Sequence, residues 1–186
     1  MLELNLIGFR KLSGFFIKKK GKQMYSFIWR YALVVLVGFT ALELEIVKLL
    51  IEKFCEGLAL MSYFMVQFFD SNIILESPNI LRHKISGFAI AVTNECSGLS
   101  AVVLLSAAIL VFQTSRQNKL IGIFAGFLIL EIINVFRLIS LVYAGAFLPL
   151  DHFDTIHHHL FPLLLHFVVL LLFGIWLILK DKNYAI

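Results

Sequence analysis

A cysteine, an arginine and a run of histidines are the residues of this chain whose types and placement suit chemistry. Cys96 stands in Asn94-Glu95-Cys96-Ser97-Gly98-Leu99-Ser100. A polar, turn-like stretch precedes it, and an apolar run at 99–112 that reads as a buried or membrane helix follows. The thiol therefore lies at or just before a helix N-terminus, where unpaired N–H groups and the helix dipole favour negative charge and suit a nucleophile. The competing account is a small apolar residue at a helix end, the commonest use of a free cysteine. Arg137 lies in Ile132-Ile133-Asn134-Val135-Phe136-Arg137-Leu138-Ile139. A charge inside such a run costs a few kcal/mol and is functional by default. Glu131, Asn134 and Arg137, spaced by three, line one side of that helix; the alternative is polar glue, with Arg137 snorkelling beside Glu131. His157-His158-His159 opens the last apolar run. Adjacent histidines on a helix point in different directions, so at most two share an ion, and His83, His152 and His166 are scattered. No metal and no cofactor is expected.

The elements that must position these groups are membrane helices. The chain has 186 residues, 60% of them hydrophobic, and a mean hydropathy of +0.92, the composition of an integral membrane protein. The net charge of +4 lies in short clusters beside apolar runs, a topology signal that excludes nucleic-acid binding. Cys55 and Cys96 have neither CxxC nor Cys/His metal spacing and do not form a disulfide framework. Residues 1–23, with Arg10, Lys11, Lys18, Lys19, Lys20 and Lys22, read as a cytoplasmic basic N-terminus, and 24–186 as one membrane domain. The run 25–42 lacks a small-x-small cleavage site and reads as an uncleaved anchor. Residues 43–70 carry Glu43, Glu45, Lys48, Glu52, Lys53 and Glu56 among apolar residues, an amphipathic or re-entrant segment. Runs at 80–85 and 88–92 around Ser86-Gly87 predict a β-hairpin outside the hydrocarbon. Three more spans follow, at 99–112, 119–147 and 160–179. The expected fold is thus an all-α polytopic membrane protein of about four transmembrane helices, an amphipathic or re-entrant segment and a small external β-hairpin.

Arg116, Lys119, Lys180 and Lys182 mark cytoplasmic ends, and the loop at 148–159, with Asp151 and Asp154 and no Lys or Arg, faces out. Parity then sets Cys96 at the outer side. Counting along the helices, Cys96 lies about 25 Å from Gln113 and Arg137 about 27 Å from Lys119. With hydrocarbon about 30 Å thick, Cys96, Arg137 and the histidines converge on the same outer boundary.

Cys96-Ser97-Gly98, then Asn134-x-x-Arg137, then external His157-His158, in that order, resemble the exosortase/archaeosortase family of polytopic membrane proteins. The resemblance runs from about residue 81 to 173 and suggests the compact bacterial branch. It implies a membrane-embedded cysteine transpeptidase or protease of the bacterial inner membrane. Such an enzyme cleaves C-terminal sorting signals of exported proteins at the outer face and transfers them to an acceptor. In that reading Cys96 is the nucleophile, and His157 or His158 the acid–base group, with His157 the first choice. Arg137 is the oxyanion or substrate partner, and Ser97, Gly98, Asn134 and Glu131 support them. The implied partners are the lipid bilayer and exported proteins whose sorting signal ends in an apolar helix. The rival class is a non-catalytic polytopic protein, a haem or metal binder or an assembly partner. A bis-histidine haem site needs paired intramembrane histidines, and only His166 lies at depth.

The charge asymmetry predicts the topology directly. In a chain with Cys55 and Cys96 replaced by serine, a cysteine at Asp151 reacts with impermeant maleimide in intact cells and one at Gln117 does not. The reverse pattern overturns the arrangement.

Overall fold

The computed structural model describes residues 21–182; most of the basic N-terminus, from Arg10 to Lys20, lies outside them. Helix α1 (Gly21–Leu42) and helix α2 (Glu45–Gln67) are followed by three strands, β1 (Ile73–Ser77), β2 (Ile80–His83) and β3 (Ala89–Ala91). A 3₁₀ turn (Asn94–Cys96) leads into α3 (Leu99–Val111) and α4 (Arg116–Phe147). Helix α5 (Leu150–Thr155) passes through a π-helical turn (Ile156–Leu160) into α6 (Phe161–Lys182). The chain is mostly helical, as the hydropathy pattern requires.

Among the described residues three segments are long and apolar enough to cross a membrane: Met24–Leu42, Arg116–Phe147 and Leu150–Lys180. The apolar run after Cys96 forms a helix of only 13 residues, about 20 Å long, so the expected four spans become three long helices and one short one. Helix α2 does not qualify as a span, in keeping with its amphipathic pattern. Of the stretch at 148–159, expected as a loop, all but Leu148 and Pro149 is instead helical and continuous with α6. Pro149 at its N-cap supplies a φ suited to helix entry, and the apolar residues between its histidines sustain the helical pattern.

The hairpin forms where the Ser86-Gly87 signal predicts it, with β2 and β3 antiparallel in the register Ile80↔Ala91, Leu81↔Ile90 and Arg82↔Ala89. The strand not anticipated is β1, which pairs with β2 through Ile73↔His83 and Leu75↔Leu81 and makes a sheet in the order β1-β2-β3. The buried face of the sheet, with Ile73, Leu81, His83 and Val92, packs on α2 and the last turns of α4. Helix α4 is 32 residues long, about 48 Å. Its length exceeds a hydrocarbon layer of about 30 Å, and the sheet docks on its last turns. Tyr143 and Phe147 on those turns stand edge-on to the buried His83 ring, and the Tyr143 hydroxyl donates to Asp70 Oδ2 at 2.8 Å. The Asp70 carboxyl, which also accepts from the Asn72 N–H, is held below the usual carboxylate range by these bonds.

Elsewhere the helices approach through small residues, as membrane helices must where no hydrophobic effect drives them together. A Cβ on Gly38 would stand 2.6 Å from the Val103 side chain, where α1 crosses α3. One on Gly126 would meet Leu105, and one on Gly122 would meet the Trp176 indole. A second core joins Ala101, Leu105 and Ile109 of α3 to Leu130 of α4 and to Leu165 and Val169 of α6.

Gly145 is where the Phe88 ring rests on α4, since a Cβ there would stand 2.0 Å from two of the ring carbons. Gly145→Val therefore costs about 1–3 kcal/mol of docking energy. Hydrogen exchange at the Leu81 and His83 amides should accelerate while that of α3 stays unchanged; uniform protection would show that the sheet does not depend on this contact.

Candidate active site

The polar groups singled out by spacing meet where the short helix α3 begins. Ser97 is fully buried and staples the turn: its hydroxyl donates to the Asn94 carbonyl at 2.6 Å and accepts from the Leu99 N–H at 3.3 Å. Gly98 follows at φ +77°, a left-handed conformation that favours glycine. A Cβ there would also lie 3.1 Å from the Asn134 carboxamide. The absence of a side chain lets Asn134 approach, and its Nδ2 donates to the Cys96 carbonyl at 3.0 Å. Cys96 thus sits just before the helix, as its sequence context requires, with its backbone tied to α4.

Arg137, one turn further along α4, donates from a guanidinium nitrogen to Asn134 Oδ1 at 3.3 Å. Long helical side chains lean toward the helix N-terminus, which directs Arg137 back over Asn134. The guanidinium interacts electrostatically with the Cys96 sulfur and lies 5.9 Å from the centre of the Phe161 ring. Glu131, Asn134 and Arg137 are all buried, as the three-residue spacing implies. Glu131 lies beside Asn134, but neither of its oxygens reaches hydrogen-bonding geometry with any described residue. It is no ion-pair partner of Arg137, so the polar-glue account of this pair lacks its central contact.

Of the three histidines, His157 faces the thiol, with its Nε2 3.7 Å from Cys96 Sγ. Residues 61 apart in sequence meet here, and His157 lies within the π-helical turn; such turns often mark functional sites. The His158 ring stands 4.4 Å from that of His157 and is exposed. His159 is exposed as well. Glu95 and Asp154 add negative charge around His157. His166 is exposed on α6, its Nδ1 against the Pro162 carbonyl at 2.6 Å, with no second histidine facing it. Among the described residues no three His, Cys, Asp or Glu side chains are grouped to hold a metal ion.

The sequence pattern did not single out Phe161, which covers Arg137, or Phe153, whose ring lies 5.6 Å from that of His157. Both are aromatic residues in an aromatic-rich chain and carry no spacing signal. Nor did it bring Cys55 close to the site. Cys55 is a free, buried thiol in the same core cluster as Cys96, and burial, with the neighbouring Cys96 and Glu131, pushes it up to about 11.

Residues 11–176 match the family model described as transmembrane exosortase (Exosortase_EpsH). No curated protein and no solved structure matches the chain.

A thiol titrating near 11 is about one part in ten thousand thiolate at pH 7. At neutral pH iodoacetamide should therefore alkylate Cys96 well before Cys55, and Cys55 should react only as the pH approaches about 10 or above. Peptide mass spectrometry reads the order, and earlier modification of Cys55 would contradict it.

Proposed function

The chain belongs to the transmembrane exosortase family, a family of membrane peptidases and transpeptidases, and from that premise we propose that it is a cysteine-dependent transpeptidase acting on C-terminal sorting signals. The observation that carries this reading is the approach of Cys96 Sγ to His157 Nε2 at 3.7 Å, beside an arginine fixed by Asn134. Nucleophile, base and oriented cation are the parts that covalent acyl transfer needs.

In the proposed reaction His157 Nε2 takes the Cys96 proton as the sulfur attacks a peptide carbonyl of the substrate. The Arg137 guanidinium stabilises the oxyanion of the tetrahedral intermediate. Collapse breaks the C–N bond, and His157 returns its proton to the leaving amine, which departs with the C-terminal apolar helix. The thioester on Cys96 is then attacked by an acceptor nucleophile, whose proton His157 removes, and the thiol is regenerated. Asn134 acts as a positioning residue through its bonds to the Cys96 carbonyl and to Arg137. Ser97 and Gly98 shape the turn, and Glu131 lies behind them. His158, its ring tilted against that of His157 with centres 4.4 Å apart, supports its orientation.

The reading includes a topology. The end of the bundle away from Cys96 carries Arg30, Arg116, Lys119 and Lys180. Lys180 donates to the Gln113 carbonyl at 3.1 Å and Lys119 to that of Leu110. This basic end is assigned to the cytoplasm. The cysteine end, in the inner membrane of a bacterium, then faces outward. A substrate anchored by its own helix arrives there laterally at the depth of Cys96.

The test is processing of an exported protein with a C-terminal apolar helix and basic tail, co-expressed with each variant. Cys96→Ala should abolish processing, because nothing replaces a covalent nucleophile. His157→Ala should lower kcat/KM about 10²–10⁴-fold, with His158→Ala milder. Arg137→Lys should lower it about 10²–10³-fold, since an ammonium does not reproduce the guanidinium's fork. Acid quench and mass spectrometry should reveal a hydroxylamine-sensitive adduct on Cys96. Wild-type processing by Cys96→Ala would end the transpeptidase reading.

A further inference from the structure

The strand that leads into Cys96 has an unpaired edge. The N–H of His83 donates to the Phe88 carbonyl at 2.9 Å and the N–H of Val92 to the Asn79 carbonyl at 2.7 Å. In an antiparallel ladder successive residues point their backbone groups to opposite sides. Phe88, Ile90 and Val92 therefore face β2, and Ala89, Ala91 and Thr93 face away from it. Since β3 ends the strand order, that outward edge has no neighbouring strand among the described residues. Among those residues only the Thr93 carbonyl of this edge is engaged, by the Cys96 N–H at 2.9 Å. Ala91 and Thr93 are exposed.

Sheet edges left open are ordinarily guarded by lysine, proline, a charge turned inward or a covering element. Phe88-Ala89-Ile90-Ala91-Val92-Thr93 has no charged residue and no proline. Alanines occupy two of the three positions whose backbone groups face outward. The α5 helix meets this segment at Phe88, and the π-helical turn meets Cys96, three residues past its end. Phe153 packs on Phe88 with ring centres 5.0 Å apart, and His157 meets Cys96. The strand ends at a cleft of about 580 Å³ lined by Asn79, Val92, Thr93 and Asn94 from this side and Ile51 and Cys55 from α2.

We propose that the free edge of β3 is the substrate-docking strand: the extended juxtamembrane segment of the substrate pairs with the backbone of Ala89, Ala91 and Thr93. This rests on the acyl-transfer reading of Cys96 and supplies its recognition step. Main-chain pairing gives affinity with little demand on side chains, and it fixes the peptide's direction and register. Only two residues separate Thr93 from Cys96, so a peptide held on this edge presents a carbonyl beside the sulfur and beneath His157. The occupant is an extended polypeptide, because only a backbone repeats donors and acceptors at the two-residue period that this edge offers.

The probe is a synthetic peptide comprising the juxtamembrane segment and apolar helix of an exported protein, added to the full chain in nanodiscs. Ala91→Pro deletes one outward N–H without touching the bonds to β2. It should raise KM at least about tenfold with kcat little changed, and alkylation of Cys96 by iodoacetamide should stay at the wild-type rate. N-methylation of successive peptide amides should weaken cleavage at every second position only. On Cys96→Ala protein, the peptide should slow hydrogen exchange at the Ala89, Ala91 and Thr93 amides. If the wild type cleaves the peptide while Ala91→Pro matches it and N-methylation shows no alternation, edge docking is wrong and the acyl-transfer reading stands. If the wild type cleaves nothing, the acyl-transfer reading fails, and exchange decides the docking: protection of those three amides supports it and unchanged exchange overturns it. If Ala91→Pro disturbs the fold, seen as altered Cys96 alkylation, the other two measurements decide: alternation in the N-methyl series with protected amides supports edge docking, and neither effect overturns it.

Discussion

One hydrogen bond fixes the geometry of the site, the 3.0 Å contact from Asn134 to the Cys96 carbonyl. A buried backbone carbonyl outside a helix needs a hydrogen-bond partner, and Asn134 supplies it. The same side chain accepts from Arg137, so one carboxamide holds both the thiol's backbone and the guanidinium. It reaches that position only because residue 98 has no side chain. Cys96, Gly98, Asn134 and Arg137 therefore form a single mechanical unit, drawn from two helices and the turn between sheet and membrane.

Around this unit the structure divides by depth. Below it, α3, α4 and α6 share an apolar core and show many large apolar side chains on their outer surfaces, as lipid-facing helices do. Above it, the last turns of α4 serve as the support for the sheet. Basic residues there are paired locally: Lys48 with Glu43 at 3.2 Å, Lys53 with Glu56 at 2.8 Å and Arg82 with Glu76 at 2.7 Å. Such exposed pairs add little stability. They do leave the Cys96–His157 region with Arg137 as its dominant fixed cation.

Much of this was legible in the chain. The helix start at Cys96, the buried line of Glu131, Asn134 and Arg137, and the β2–β3 hairpin all follow from local signals: polarity before an apolar run, spacing by three, and Ser86-Gly87 between β-prone residues. Depth counting brought Cys96, Arg137 and the histidines to one level. It could not select His157 over His158, because the π-helical turn that carries both is set by tertiary packing and leaves no mark in periodicity. Strand β1 was hidden for a related reason. Its pairing with β2 is decided by the platform beneath, not by its own short sequence. The helical character of 150–159 was masked by polar residues that suggested a loop.

The π-helical turn that carries His157 runs into α6, whose core contacts begin at Leu165 and Val169. His157 stands eight residues before Leu165, so it rides on an arm about 12 Å long whose outer contacts are those of Phe153 with Phe88 and of Phe161 with Arg137. Rotating such an arm by about five degrees moves its tip about 1 Å, a displacement large enough to matter to a reaction. Membrane helices adjust their tilt to the thickness of the bilayer around them, whereas Cys96 is moored to α4. Lipid thickness thus enters the spacing of sulfur and imidazole as a mechanical variable.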